Sequence, residues 1–187
     1  MESYKFEKKT TERYDIRVDY EWAIIMISED GGVFSAHSSY GDYTYAWPHH
    51  GRESFKHFIM NELTRDTSYF LGKVSNETEF DEETSLKEWK ETIIRDRRDQ
   101  EISQEEARSV WDALIEITEE CFSIDSVYNA LYSNSDISEI GYDSYEDFPV
   151  YTDFPAGAKI FASRFMPILG DILKKEIEEK YAKIFKY

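Results

Sequence analysis

The sequence holds one cysteine, Cys121, so no internal disulfide can form and no metal site needing two thiolates is available. No apolar run approaches the roughly eighteen residues of a membrane-spanning helix. The longest, Trp22–Ile27, has the length of a buried strand and is expected to be covered on both faces. The chain opens Met-Glu-Ser-Tyr-Lys, without the apolar h-region of a secretory signal. These absences imply a cytoplasmic protein of a reducing compartment, with no membrane partner; the Asn76-Glu77-Thr78 sequon then has no role. No repeat, low-complexity tract or Gly/Ser-rich linker interrupts the chain.

Catalytic signatures are missing too. The chain has no Gly-x-Ser-x-Gly, Walker loop, Gly-x-Gly-x-x-Gly or His-Glu-x-x-His. Cys121 follows Glu119 and Glu120, which disfavour a thiolate, so it reads as a small apolar residue at a helix end. The four histidines, His37, His49, His50 and His57, fit no established ligand spacing. They read as turn and surface residues. The weak alternative is a metal-dependent enzyme built on this cluster, with His49, His50 and His57 as candidate ligands beside Asp42 and Glu53. The expectation is a protein that is not an enzyme and carries no cofactor.

What the chain has in excess is negative charge. Against 22 Lys and Arg stand 39 Asp and Glu, a net −17. Such a field repels nucleic acid and anionic membrane and attracts basic surfaces. It is also uneven. From Ser109 to Ala158 there is no Lys, Arg or His, while Asp112, Glu116, Glu119, Glu120, Asp125, Asp136, Glu139, Asp143, Glu146, Asp147 and Asp153 all fall there. Within that block aromatics interleave with acids, and Asp136, Glu139, Tyr142, Asp143, Tyr145, Glu146, Asp147, Tyr151 and Asp153 are the candidate partner-binding residues. Aromatics anchor interfaces and carboxylates steer basic partners. The competing reading folds the aromatics under the loop and leaves the acids to water. The only basic cluster, Arg95, Arg97 and Arg98, alternates with Asp96 and Asp99, and is expected to form local ion pairs at a helix end.

The aromatic share, 16%, supplies large side chains for a core, so a folded chain is expected despite the charge. Tyr14, Ile16, Val18 and Tyr20 alternate with Asp15, Arg17 and Asp19, the mark of a half-buried strand. Turn signals at Glu29-Asp30-Gly31-Gly32 and Gly41-Asp42 divide the N-terminal quarter into a meander of three or four strands. Phe55, Phe58, Ile59 and Leu63 predict a helix near 52–64. Ser85 with Glu88 and Ser103 with Glu106 predict two capped helix starts. A shorter helix is expected at Asp125–Ser133, loop or extended chain at Gly141–Pro155, and a long helix from Ala158, kinked or restarted at Pro167. Strands first and helices after argue α+β: a β-meander packed against four to five helices, the last one long. The length suits one sizeable core, so a single domain over 1–187 is expected, with 1–12 as a frayed start.

In size, charge and missing catalytic motifs the chain resembles the small acidic phage-encoded inhibitors of bacterial defence, the anti-restriction and anti-CRISPR proteins. It also resembles the acidic immunity proteins that neutralise basic nuclease toxins. The resemblance implies a non-catalytic inhibitor or adaptor, DNA-mimic-like, that blocks a basic nucleic-acid-handling protein in the host cytoplasm. Nothing in the sequence fixes an oligomeric state.

Overall fold

Alternation decides the first element. Ile16 is buried and Tyr14 and Val18 half-buried, while Asp15 and Arg17 between them face solvent, giving strand β1 (Glu12–Val18). The computed structural model describes residues 5–143 and 146–184. Strands β2 (Glu21–Ser28), β3 (Val33–Ser38) and β4 (Gly41–Ala46) follow in an antiparallel meander of order β1-β2-β3-β4. The β2–β3 turn requires glycine. Gly32 has φ +60, and a Cβ there would stand 2.2 Å from the Trp47 carbonyl oxygen.

The chain divides into two compact units. The sheet unit (Met1–Asn76 with Phe154–Tyr187) buries Ile25, Ile27, Phe34 and Tyr43 on one sheet face, in a cluster with helical side chains. Those come from α1 (Phe55–Phe58), a π-helical turn (Ile59–Leu63), α2 (Thr67–Val74) and α7 (Ala156–Ile184). The predicted 52–64 helix thus arrives as a short α-helix running into a π turn. The C-terminal helix passes through Pro167 within one element. Among the described residues of this unit, no such apolar cluster covers the opposite sheet face. Trp22 and Ile24 are only half-buried and Met26 is exposed, so β2 is covered on one face, not on both.

One polar cluster spans elements of this unit. Lys56 Nζ bonds Glu12 Oε2 at 2.6 Å and Glu176 Oε2 at 2.8 Å, and the Tyr14 hydroxyl oxygen lies 3.0 Å from each of the same two oxygens, within reach to donate its one proton to either. Burial opposes the Lys56 charge, but the carboxylates outweigh it and hold its ammonium above the ordinary lysine range.

The helical unit (Glu77–Asp153) opens with a two-residue strand, β5 (Glu79–Phe80), and then runs through four helices. These are α3 (Glu82–Arg98), α4 (Gln104–Glu120), α5 (Ile124–Ser133) and α6 (Ser135–Ile140). It closes with β6 (Thr152–Asp153), antiparallel to β5. Trp89 is fully buried, stacked with Phe80 and edge-on to Phe148, and its indole N–H donates to the Pro149 carbonyl at 2.8 Å. Ser103 and Glu106 cap α4 reciprocally, as their spacing predicts. Ser85 does not cap. Asp81 starts α3, and Ser85, fully buried one turn inside, accepts the Tyr151 N–H through Oγ. A four-stranded antiparallel sheet, seven α-helices among the described residues and a long last helix make the fold α+β.

Candidate protein-binding surface

Counting charge by unit separates the molecule. The helical unit holds twenty-three Asp and Glu against six Lys and Arg; the sheet unit holds sixteen of each. The whole net charge of −17 therefore sits on residues 77–153. Its six bases lie on α3 and the first turns of α4, and none follows Arg108.

Helical spacing sorts the acids of α4. Val110, Ala113, Leu114 and Ile117 enter the core, which turns Asp112, Glu116, Glu119 and Glu120 onto one exposed stripe on the other side. Glu119 and Glu120 occupy the last turn, where the helix dipole already concentrates negative charge, and no base stands in that turn. Asp125 and Asp136 instead lie in the first turns of α5 and α6, where the dipole favours them. Asp112, Glu116, Glu119, Glu120, Asp125, Asp136 and Glu139 are all exposed and make no ion pair among the described residues.

The loop after α6 has a different character. The Asp143 carboxylate accepts the Glu146 N–H at 3.1 Å, and the Asp147 carboxylate accepts the Asp143 N–H at 2.8 Å. Both acids thus hold the loop's own backbone; Asp143 and Glu146 are exposed and Asp147 is half-buried. Tyr142 is half-buried, packs on fully buried Phe148, and its hydroxyl donates to Asp96. Its side chain is spent on the fold. Tyr151 is 38% exposed, and its backbone is held by Ser85 and Asp81. Asp153 is half-buried in β6, opposite Glu79. Tyr145 lies outside the described residues.

Two other aromatics of this block are far more exposed than Tyr151. Phe122 is 84% exposed and Tyr132 73%. Phe122 precedes the α5 cap Ser123, a position from which an apolar side chain usually folds back onto the fourth helical residue, here Val127. It stays in solvent instead, with Glu119, Glu120 and Asp125 within three residues of it in sequence. That unmet staple was legible: an aromatic flanked by acids, one residue before a serine cap. Cys121 next to it is half-buried.

The histidines do not converge. His37 pairs with Asp42 on the sheet, His50 lies beside Phe55 and Phe58, and His57 Nδ1 is 2.8 Å from Ser54 Oγ. His49 is exposed in the turn before them. Among the described residues no three His, Cys, Asp or Glu are grouped to hold a metal ion. None of the described helices is long and apolar enough to cross a membrane.

Fold and surface together define an α+β protein that carries its entire excess charge on one mainly helical unit. The chain belongs to a phage protein family, Phage_phiTE_072, whose match runs over residues 4–175 and so takes in the whole helical unit. No curated protein and no solved structure matches it.

Proposed function

We propose that this phage protein is a binding protein, not a catalyst, and that its helical unit occupies the nucleic-acid site of a basic host protein. The class is phage counter-defence, of the anti-restriction or anti-CRISPR type, acting in the host cytoplasm without a cofactor. The observation that carries this reading is the segregation of charge, with −17 on one unit and none on the other.

Magnitudes support the comparison with DNA. Asp112 to Glu120 spans about 12 Å of helix and bears four carboxylates, roughly one per 4 Å. One strand of DNA presents a phosphate about every 3.4 Å. Self-repulsion across such a stripe costs stability, and Glu119 and Glu120 add about 0.3–1 kcal/mol each by opposing the α4 dipole. A partner that supplies lysines and arginines removes both penalties. Phe122 and Tyr132 then serve as anchors, since exposed aromatics beside charges are the usual centres of binding energy.

The test is affinity capture of the tagged protein from host cells at low and high salt, with captured proteins identified by mass spectrometry. The control carries Asp112→Asn, Glu116→Gln, Glu119→Gln and Glu120→Gln. The expected result is a basic nucleic-acid-handling protein that is held at low salt, released at high salt and missing from the control. A control that captures the same partner equally well excludes this surface.

A further inference from the structure

The bases of the helical unit are as unevenly placed as its acids. Five of the six line one groove between α3 and α4. Two adjoining hollows of about 680 and 580 Å³ share Ile94 and Trp111 as an apolar floor. Lys87 and Lys90 stand at one end among Glu82, Glu83 and Glu91, and Lys90 Nζ lies 5.0 Å from the Trp111 ring centre. At the other end are Arg97, Arg98 and Arg108, with Asp112 the only acid in that hollow's wall.

The three arginines are exposed, and none makes a hydrogen bond or ion pair among the described residues. Arg95, their neighbour in sequence, is paired with Asp96 at 3.0 Å. The local ion pairing expected of Arg95, Arg97 and Arg98 therefore holds for the first alone. In a unit where carboxylates outnumber bases almost four to one, three arginines that make no ion pair among the described residues line one hollow with Ile93, Ile94 and Trp111.

We propose that the α3–α4 groove binds an acidic, amphipathic segment of a partner protein. Its apolar side chains would sit on Ile94 and Trp111, and its carboxylates on Arg97, Arg98 and Arg108. A guanidinium presents a planar fork that matches a carboxylate with two parallel bonds, and a groove between two helices suits an amphipathic helix. The length agrees: the hollows follow α3, about 25 Å long, so the groove takes about four turns of helix. Such a site gives the helical unit two contact faces of opposite sign, the acid stripe of α4 and this groove beside it. Asp112 borders both, whereas Glu116, Glu119 and Glu120 lie outside the groove's wall, so the two faces can be tested apart.

The experiment uses the full chain and a fluorescein-labelled helical peptide of about four turns, leucines on one face and glutamates on the other. A sister peptide has lysine for every glutamate. Anisotropy at low ionic strength should show binding of the glutamate peptide. Arg97→Gln, Arg98→Gln and Arg108→Gln together should weaken it by about tenfold or more. Trp111→Ala should weaken it while circular dichroism stays unchanged, and Glu116→Gln, Glu119→Gln and Glu120→Gln together, at residues outside the groove's wall, should bind it as well or better. No binding of the glutamate peptide overturns the proposal, as does equal binding by the triple arginine variant. Preference for the lysine peptide at the Trp111 face also overturns it. So does sedimentation showing self-association that the arginine variant abolishes, because the occupant would then be a second copy of this chain.

Discussion

The Tyr142 hydroxyl donates to Asp96 Oδ2 at 2.9 Å, while the Arg95 Nε–H meets Oδ1 of the same carboxylate at 3.0 Å. Asp96 is 7% exposed near the end of α3, so each donor replaces water that cannot reach it. Tyr142 thereby ties the chain after α6 to a helix more than forty residues earlier. Removing the hydroxyl with Tyr142→Phe leaves Oδ2 unsatisfied and should destabilise the helical unit by about 1–3 kcal/mol, read as a lower denaturation midpoint.

The same pair sets an alkaline limit. Burial first, and the bond to Asp96 second, hold the Tyr142 phenol above its ordinary value of 10.0. The folded state keeps that proton more tightly than the unfolded chain, so the contribution is complete below pH 10.0 and is lost as pH rises beyond it. Stability of the wild type should fall above about pH 10. Tyr142→Phe should start lower and lose this part of the slope; an identical slope in both proteins would count against the role given to the hydroxyl.

At the C-terminus of α4 the proposal predicts opposite effects on stability and binding. Glu119→Gln with Glu120→Gln removes two charges that the helix dipole disfavours and should raise stability by about 0.5–1.5 kcal/mol. The same change should weaken capture of the basic partner. Loss of stability on this substitution would mean that these glutamates have structural partners.

Lys56 predicts an acid limit in the sheet unit. Its bond to Glu12 is the largest cause holding that carboxyl below its ordinary 4.5. A lowered value contributes stability that is present above pH 4.5 and is lost as pH falls through the folded value. Lys56→Met leaves Glu12 and Glu176 facing each other around Tyr14. Discounted for their partial exposure, the expected loss is about 1–2 kcal/mol at neutral pH. The variant should also show a flatter acid decline, and urea denaturation across pH reads both.

Local chemistry made much of the fold legible. Alternation in Tyr14–Val18, the Gly31-Gly32 turn and the Ser103–Glu106 box are short-range signals, and each is in place. Ser85 shows where such signals stop: a serine three residues before an acid is a cap only if its oxygen is not wanted elsewhere, and Tyr151 wants it. The apolar run of β2 named a strand but not how many of its faces were covered, because length and hydropathy are the same in both cases. Periodicity likewise says which side of a helix is buried, not against which neighbours, so the sorting of apolar residues into two clusters could not be read from it. The acid block was legible as composition. Its exposed centre was not, because Tyr142, Asp143 and Asp147 look free in sequence and are engaged in the structure, whereas Phe122 and Tyr132 look ordinary and are exposed.

Competition with DNA on the captured partner is the most direct measurement of the central claim. The partner is saturated with a labelled duplex, and the phage protein is titrated in at several salt concentrations. The account predicts complete displacement, with an apparent affinity that falls as salt rises and is lost with the α4 carboxylates. A stable complex containing partner, duplex and phage protein together would contradict it.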